Sequence, residues 1–229
     1  RIAPGTADFT LGPAMSRAEA VEAIGRGIRL VQEQKKAGVG LLATGEMGIG
    51  NTTTSSAVAA VLLAQPVQTM TGRGAGLSDA GLARKVEAIR RGIACNAPDP
   101  DDVLDVLSKL GGFDIAGLCG MFLGGALAGV PVLMDGFISG VAALCAVRLC
   151  PAAEKLQISC RAGRVCPLLC PPVKAQSDEK PVSHRPVFFV SPPFPPGFFL
   201  HLFDIIHPSQ RLYRELFTLS TGFSTPSPP

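Results

Sequence analysis

The sequence predicts an α/β fold, a parallel sheet flanked by helices, ending in an irregular, proline-rich tail. Three observations predict it. Two five-residue, uniformly apolar segments alternate with longer stretches of helical periodicity; glycine-rich turns join the two kinds; and the composition changes abruptly near residue 151. Of the 26 glycines, 23 precede that point, whereas 14 of the 20 prolines and all three histidines lie from Pro151 onward. The chain of 229 residues is therefore divided into an α/β unit over 1–151 and a tail over 152–229. The tail's apolar residues come in short runs broken by proline pairs at 171, 192 and 195, which cannot bury a continuous face, so it is expected to be disordered.

Within the first unit, Ser16-Arg17-Ala18-Glu19 has the form of a capping box, opening a helix whose Ala20, Ile24, Ile28 and Val31 share a face and which Gly38 closes. Val39 to Ala43 reads as a buried parallel strand, running into the turn Thr44 to Asn51 and a helix from Thr52 to Ala64. A second glycine turn, Thr71 to Gly76, leads to Ser78 as N-cap of a helix carrying Leu82, Lys85, Val86 and Ile89. Asp99-Pro100 starts a further helix with Val103, Val106 and Leu107 inward. Gly111-Gly112-Phe113-Asp114 precedes an Ala/Gly-rich helix to Ala128, then come a strand over Val130 to Met134 and a helix over Ile138 to Leu149.

Composition excludes several roles. The 21 Lys and Arg are scattered among 18 Asp and Glu for a net charge of +3, with one Tyr and no Trp for stacking on bases, so no nucleic-acid partner is expected. Seven cysteines without regular spacing point to a reducing, cytoplasmic location rather than a disulfide framework. Cys145 and Cys150 fit a helix core; Cys160, Cys166 and Cys170 match no zinc spacing, and His184, His201 and His207 lie in the tail, so neither metal nor cofactor is expected. Ile115 to Met134 carries no charge over 20 residues and contains Gly120-x-x-x-Gly124, but its glycines and Pro131 divide it into a helix and a strand rather than a membrane span.

The chemistry sits in the turns, because open parallel sheets bind ligands where strands end and helices begin. In Gly45-Glu46-Met47-Gly48-Ile49-Gly50-Asn51-Thr52-Thr53, three glycines let the main chain approach an anion, and Asn51, Thr52 and Thr53 can cap the helix and donate to phosphate oxygens. Gly45-x-x-x-x-Gly50-Asn51-Thr52 resembles a triphosphate-binding loop with Asn in place of the lysine, which suits a ligand bearing one phosphate and no magnesium. Glu46 either binds a ribose hydroxyl, steers a cationic ring or serves as a base, or it accepts from the turn's own N–H groups. Arg73, beside Gly74, is an anion contact or a solvated loop cation; Lys85 reaches back toward the turn or faces solvent. Asp135, followed by Gly136 at the end of the second strand, is a ligand-binding acid or a helix cap.

Taken in order, GTADFTLGPAM (5–15), GEMGIGNTTTSSA (45–57), TGRGAGLSDAGLARK (71–85), GGFDIAGLCG (111–120) and PVLMDGFISG (131–140) closely resemble successive motifs of the nicotinate-nucleotide:dimethylbenzimidazole phosphoribosyltransferase family. The resemblance covers residues 1 to about 151 and implies a Rossmann-like sheet and an exchange at the ribose C1, an enzyme of cobalamin biosynthesis. Nicotinate leaves nicotinate mononucleotide and 5,6-dimethylbenzimidazole attacks, giving α-ribazole 5′-phosphate. It further implies that Gly45 to Thr53 holds phosphate and ribose with Glu46 near the reacting carbon, that Arg73, Gly74 and Lys85 flank them, and that Gly111, Gly112, Asp135 and Gly136 line the sheet's edge. The protein is expected to act as a homodimer. Family members begin before the position of Arg1 and end with an RLGEG-like motif whose glutamate is taken as proton acceptor. The expectation is thus a truncated member, starting mid-protein, that keeps nucleotide binding and is impaired in turnover; the alternative is a non-catalytic mononucleotide-binding or dimerising fragment.

Overall fold

The computed structural model describes residues 1–159, and the expected disorder of the later tail lies outside them. The elements run α1 (Arg17–Lys36), β1 (Leu42–Ala43), α2 (Thr52–Leu62), α3 (Val67–Met70), α4 (Asp79–Asn96), α5 (Val103–Leu110), α6 (Phe113–Ala128), β2 (Val132–Met134) and α7 (Phe137–Leu149), then a 3-10 turn (Pro151–Leu156) and β3 (Gln157–Ser159). The described chain is mostly helical around a small parallel sheet of order β1-β2-β3. Leu42 pairs with Val132, Ala43 with Leu133, and Leu133 with Ile158. The third strand lies past the composition break at 151, within the segment assigned from composition to the tail, because it needs only to follow the end of α7 and pair with β2.

Both anticipated strands are shorter than their apolar runs. The ladder opens where the Leu42 N–H meets the Pro131 carbonyl at 3.0 Å. Pro131 has no N–H to return, and upstream Gly38 bends the chain at φ +89°, so Val39 to Leu41 approach the sheet without joining it.

Helix α1 starts as the capping box requires: the Ser16 N–H donates to Glu19 Oε2 at 2.8 Å, and the Glu19 N–H to Ser16 Oγ at 3.2 Å. Ala20, Ile24, Ile28 and Val31 are all buried. The partner of that face is α6, and the two helices meet backbone to backbone. A Cβ added to Gly27 would overlap the Gly117 carbonyl oxygen, one on Gly120 would overlap that of Ile24, and one on Gly124 would stand 3.0 Å from Ile28 Cα. The Gly120-x-x-x-Gly124 spacing is therefore a helix contact inside the fold. Among the described residues no helix is long and apolar enough to cross a membrane.

Helix α5 begins later than expected. Asp99-Pro100 does not start it; the chain first turns, with the Asp102 N–H on the Asp99 carbonyl at 3.1 Å, and Asp102 is the N-cap, accepting from the N–H groups of Leu104 at 3.0 Å and Asp105 at 3.2 Å. On α4 the buried stripe is Gly81, Lys85, Ile89, Gly92 and Asn96, with Leu82 and Val86 only half-buried. The helix is turned this way by Phe9, whose ring occupies the space of a side chain at Gly92, while Asn96 Nδ2 donates to the Phe9 carbonyl at 2.7 Å. Cys119 and Cys145 lie in the core, where burial pushes both thiols up, that of Cys145 to about 12. Cys150 is not on the helix face but at its C-cap, half-buried.

Three variants test this packing and its caps. Gly120→Ala, which forces a methyl into the α1 backbone, is expected to destabilise the fold by roughly 1–3 kcal/mol in denaturant unfolding. Gly117→Ala, with nothing within 4 Å of the new methyl, is expected to be neutral or stabilising. Asp102→Ala should cost about 0.5–2 kcal/mol through the lost cap. Burial pushes the Asp102 carboxyl up, but Arg17 at 2.7 Å and the two N–H groups hold it below its ordinary value of 3.8. Its contribution is complete above that value and fades as pH falls through the depressed one, so the gap between wild type and variant should close in acid.

Candidate functional site

Part of the set singled out from sequence, the turn from Gly45 to Thr53 together with Gly74 and Lys85, gathers past the end of β1. Thr44, the residue after β1, ties its chain to the neighbouring strand twice: its N–H and its Oγ1 both donate to the Leu133 carbonyl, each at 2.9 Å. From there the chain swings out through Gly45 and returns at Gly48 (φ +73°) and Gly50 (φ +78°), conformations that favour glycine, to enter α2. Met47 and Ile49 stand outward on this turn, 85% and 79% exposed.

Inside the turn, Glu46 Oε2 accepts from the Gly48 N–H and, at 3.2 Å, from Asn51 Nδ2. The same Asn51 nitrogen donates to Asp114 Oδ2 at 2.8 Å, joining the starts of α2 and α6. Asn51 is the N-cap residue of α2 but makes no side-chain cap bond, and neither Thr52 nor Thr53 supplies one. The helix thus opens with N–H groups not taken by its own side chains, the arrangement that receives anions.

Lys85 comes from two turns inside α4 and is 7% exposed. Its Nζ donates to Thr52 Oγ1 and to the Gly72 carbonyl, both at 3.0 Å, and among the described residues it has no carboxylate partner. Burial alone pulls its ammonium below the ordinary value of 10.5. A cation held on two neutral oxygens beside an open helix start raises the positive potential of this corner. Gly74 (φ +57°) completes the join, since a Cβ there would come 3.1 Å from Thr52 Oγ1.

Other expected residues are placed differently. Arg73 is folded onto its own loop, donating to the Leu77 carbonyl at 2.8 Å and pairing with Asp79, so its charge is directed at the start of α4. Gly111 and Gly112 are buried and have packing reasons of their own: a Cβ on either would stand 2.5 Å away from, respectively, the Leu107 carbonyl oxygen and Asp114 Oδ1. Asp135 is exposed past the end of β2; Gly136 caps α7 without any side-chain bond, so Asp135 is not its cap. Sequence reasoning passed over Asp114. Its signal was an acid in the first turn of a helix directly after two glycines, a position the helix dipole favours.

The geometry offers donors for one anionic group at the α2 start and Lys85, and two carboxylates, Glu46 and Asp114, gathered on Asn51. Comparison with known proteins shows the family to which this chain belongs. A family model described as Phosphoribosyltransferase matches residues 1–164. The nicotinate-nucleotide–dimethylbenzimidazole phosphoribosyltransferase of Roseiflexus castenholzii is 55% identical over 159 residues, 69% of this chain and 45% of the relative. That of Acetivibrio thermocellus is 56% identical over 154 residues, 67% and 44%. The crystal structure of CobT from Thermus thermophilus superposes with a TM-score of 0.66 at 36% identity, covering 69% of this chain and 47% of that one. The chain spans about half the length of the curated relatives it matches.

Proposed function

Because the chain belongs to the phosphoribosyltransferase family, we propose that its site is built to move phosphoribosyl from nicotinate mononucleotide to 5,6-dimethylbenzimidazole, giving nicotinate and α-ribazole 5′-phosphate. The observation that carries this reading is Lys85: a buried cation that has no carboxylate partner among the described residues, fixed on Thr52 at the uncapped start of α2. A nucleoside monophosphate supplies the one dianion that such a corner lacks. The turn Gly45, Gly48, Ile49, Gly50, Asn51, Thr52 and Thr53 then surrounds phosphate and ribose.

In the reaction the bond from ribose C1 to the nicotinate nitrogen breaks, its electron pair leaving with nicotinate. A benzimidazole nitrogen forms the new bond, and the ring's other nitrogen gives up its proton to solvent water, leaving the product ring neutral. Positive charge builds at C1 as the first bond stretches. A carboxylate close by lowers that barrier by electrostatics, and this is the role assigned to Glu46. Phosphate bound at Lys85 and the helix start fixes C1 relative to Glu46, so remote binding contributes to orientation. Gly111, Gly112, Asp135 and Gly136 border the same edge, with Arg73 and Gly74 on the neighbouring loop. A homodimer and a cytoplasmic location accompany this reading.

A second reading, mononucleotide binding or dimerisation without turnover, is favoured by Glu46 itself, whose Oε2 is already committed to Gly48 and Asn51. Product formation by the full chain separates the two: α-ribazole 5′-phosphate supports transfer, and saturable nicotinate mononucleotide binding without it supports the second.

Lys85→Met keeps the side chain's bulk and removes its charge. It is expected to weaken nicotinate mononucleotide binding by about 1.5–3 kcal/mol in calorimetry, the range for hydrogen bonds to charged groups. Since burial lowers the Lys85 ammonium below 10.5, wild-type affinity should fall as pH rises through that lowered value, before an ordinary lysine would titrate. The variant should lack this alkaline limb.

A further inference from the structure

Glu46 is anchored by one oxygen only. Oε2 takes the Gly48 N–H and Asn51 Nδ2, whereas Oε1 has no partner among the described residues. A glutamate in a glycine turn has three rotatable bonds, so what fixes Asn51 decides where Oε1 points. Asn51 is 8% exposed, and its Oδ1 is buried without a hydrogen bond. Its amide is therefore oriented through nitrogen alone, by two carboxylates that each claim one of its two N–H donors: Glu46 at 3.2 Å and Asp114 at 2.8 Å. The flipped amide would set Oδ1 against both carboxylates. Asp114 makes the shorter bond, and Gly112 is bare of a side chain beside its other oxygen.

We propose that Asp114 is a positioning residue: acting through Asn51, it holds the Glu46 carboxylate with Oε1 presented to the ligand of this site. The geometry stands on the contacts above; the identity of the ligand rests on the mononucleotide reading. Asp114 itself touches Asn51 and not Glu46, which makes the chain of influence testable.

In isotope-labelled full chain, Asp114→Ala should move both the Asn51 side-chain amide signals and the Glu46 carboxyl carbon signal. Nicotinate mononucleotide affinity should fall by about threefold to tenfold, the size of one lost hydrogen bond. Asp114→Glu, which keeps the acceptor, should recover most of that loss. In a Glu46→Gln background, Asp114→Ala should add little, because both changes act on one contact. A Glu46 signal indifferent to Asp114→Ala, or affinity losses that simply add, would overturn the proposal. Failure of wild type to bind nicotinate mononucleotide would instead overturn the mononucleotide reading, while the Glu46 signal still decides whether Asp114 positions it.

Discussion

Two glycines, Gly27 on α1 and Gly120 on α6, let the main chains of these helices touch, and much of the unit is laid out from that contact. Neither position has room for a methyl, so the helices can approach only with hydrogen at both places. The start of α6 carries Gly112 and Asp114 to the site, and its end delivers the chain, through Gly129 (φ +64°), into β2. Gly125 extends the same requirement to the sheet, because a Cβ there would come 2.6 Å from Val132 Cγ2. The packing that makes the core is thus the packing that aims α6 at the turn after β1.

The site shows a division of charge. Carboxylates Glu46 and Asp114 share one amide nitrogen on one side, while the ammonium of Lys85 is held by neutral oxygens on the other. Had Arg73 or Lys85 been paired with Glu46 or Asp114, the corner would have been electrically closed to a ligand. Instead Arg73 is neutralised locally by Asp79. Desolvation leaves Lys85 a strong but costly cation, and a cation so placed gains most from an anion brought in from solvent.

Much of this was legible in the sequence because local chemistry dictates it. Ser16 and Glu19 specify the start of α1, Ser78 that of α4, and the periodicity of Ala20, Ile24, Ile28 and Val31 specifies the buried face. Lys85 stood out by its spacing after the second glycine turn, but spacing could not say whether it faced inward; the stripe Gly81, Lys85, Ile89 is set by Phe9 on Gly92, a contact between distant segments. Arg73 stayed open between an anion contact and a solvated cation, because the sequence gives no sign of which way a loop arginine folds. The strands were overestimated since an apolar run records burial, whereas a ladder needs a partner N–H that Pro131 does not have. Asp114 went unmarked because its importance comes through Asn51, 63 residues away.

The paired hydrogen bonds from Thr44 to the Leu133 carbonyl, two donors on one acceptor, have a bearing on how the site comes into being. They close a separation of 89 residues, and among the described residues the turn that follows Thr44 has no other tie to the sheet. Pairings so far apart in sequence are slow to form, because the loop between them must be ordered first. On a chain made from its N-terminus, the turn is complete long before Leu133 exists to fasten it, and α2 to α6 must be synthesised in between. The turn is therefore expected to be fastened late in folding, after the helices made between Thr44 and Leu133.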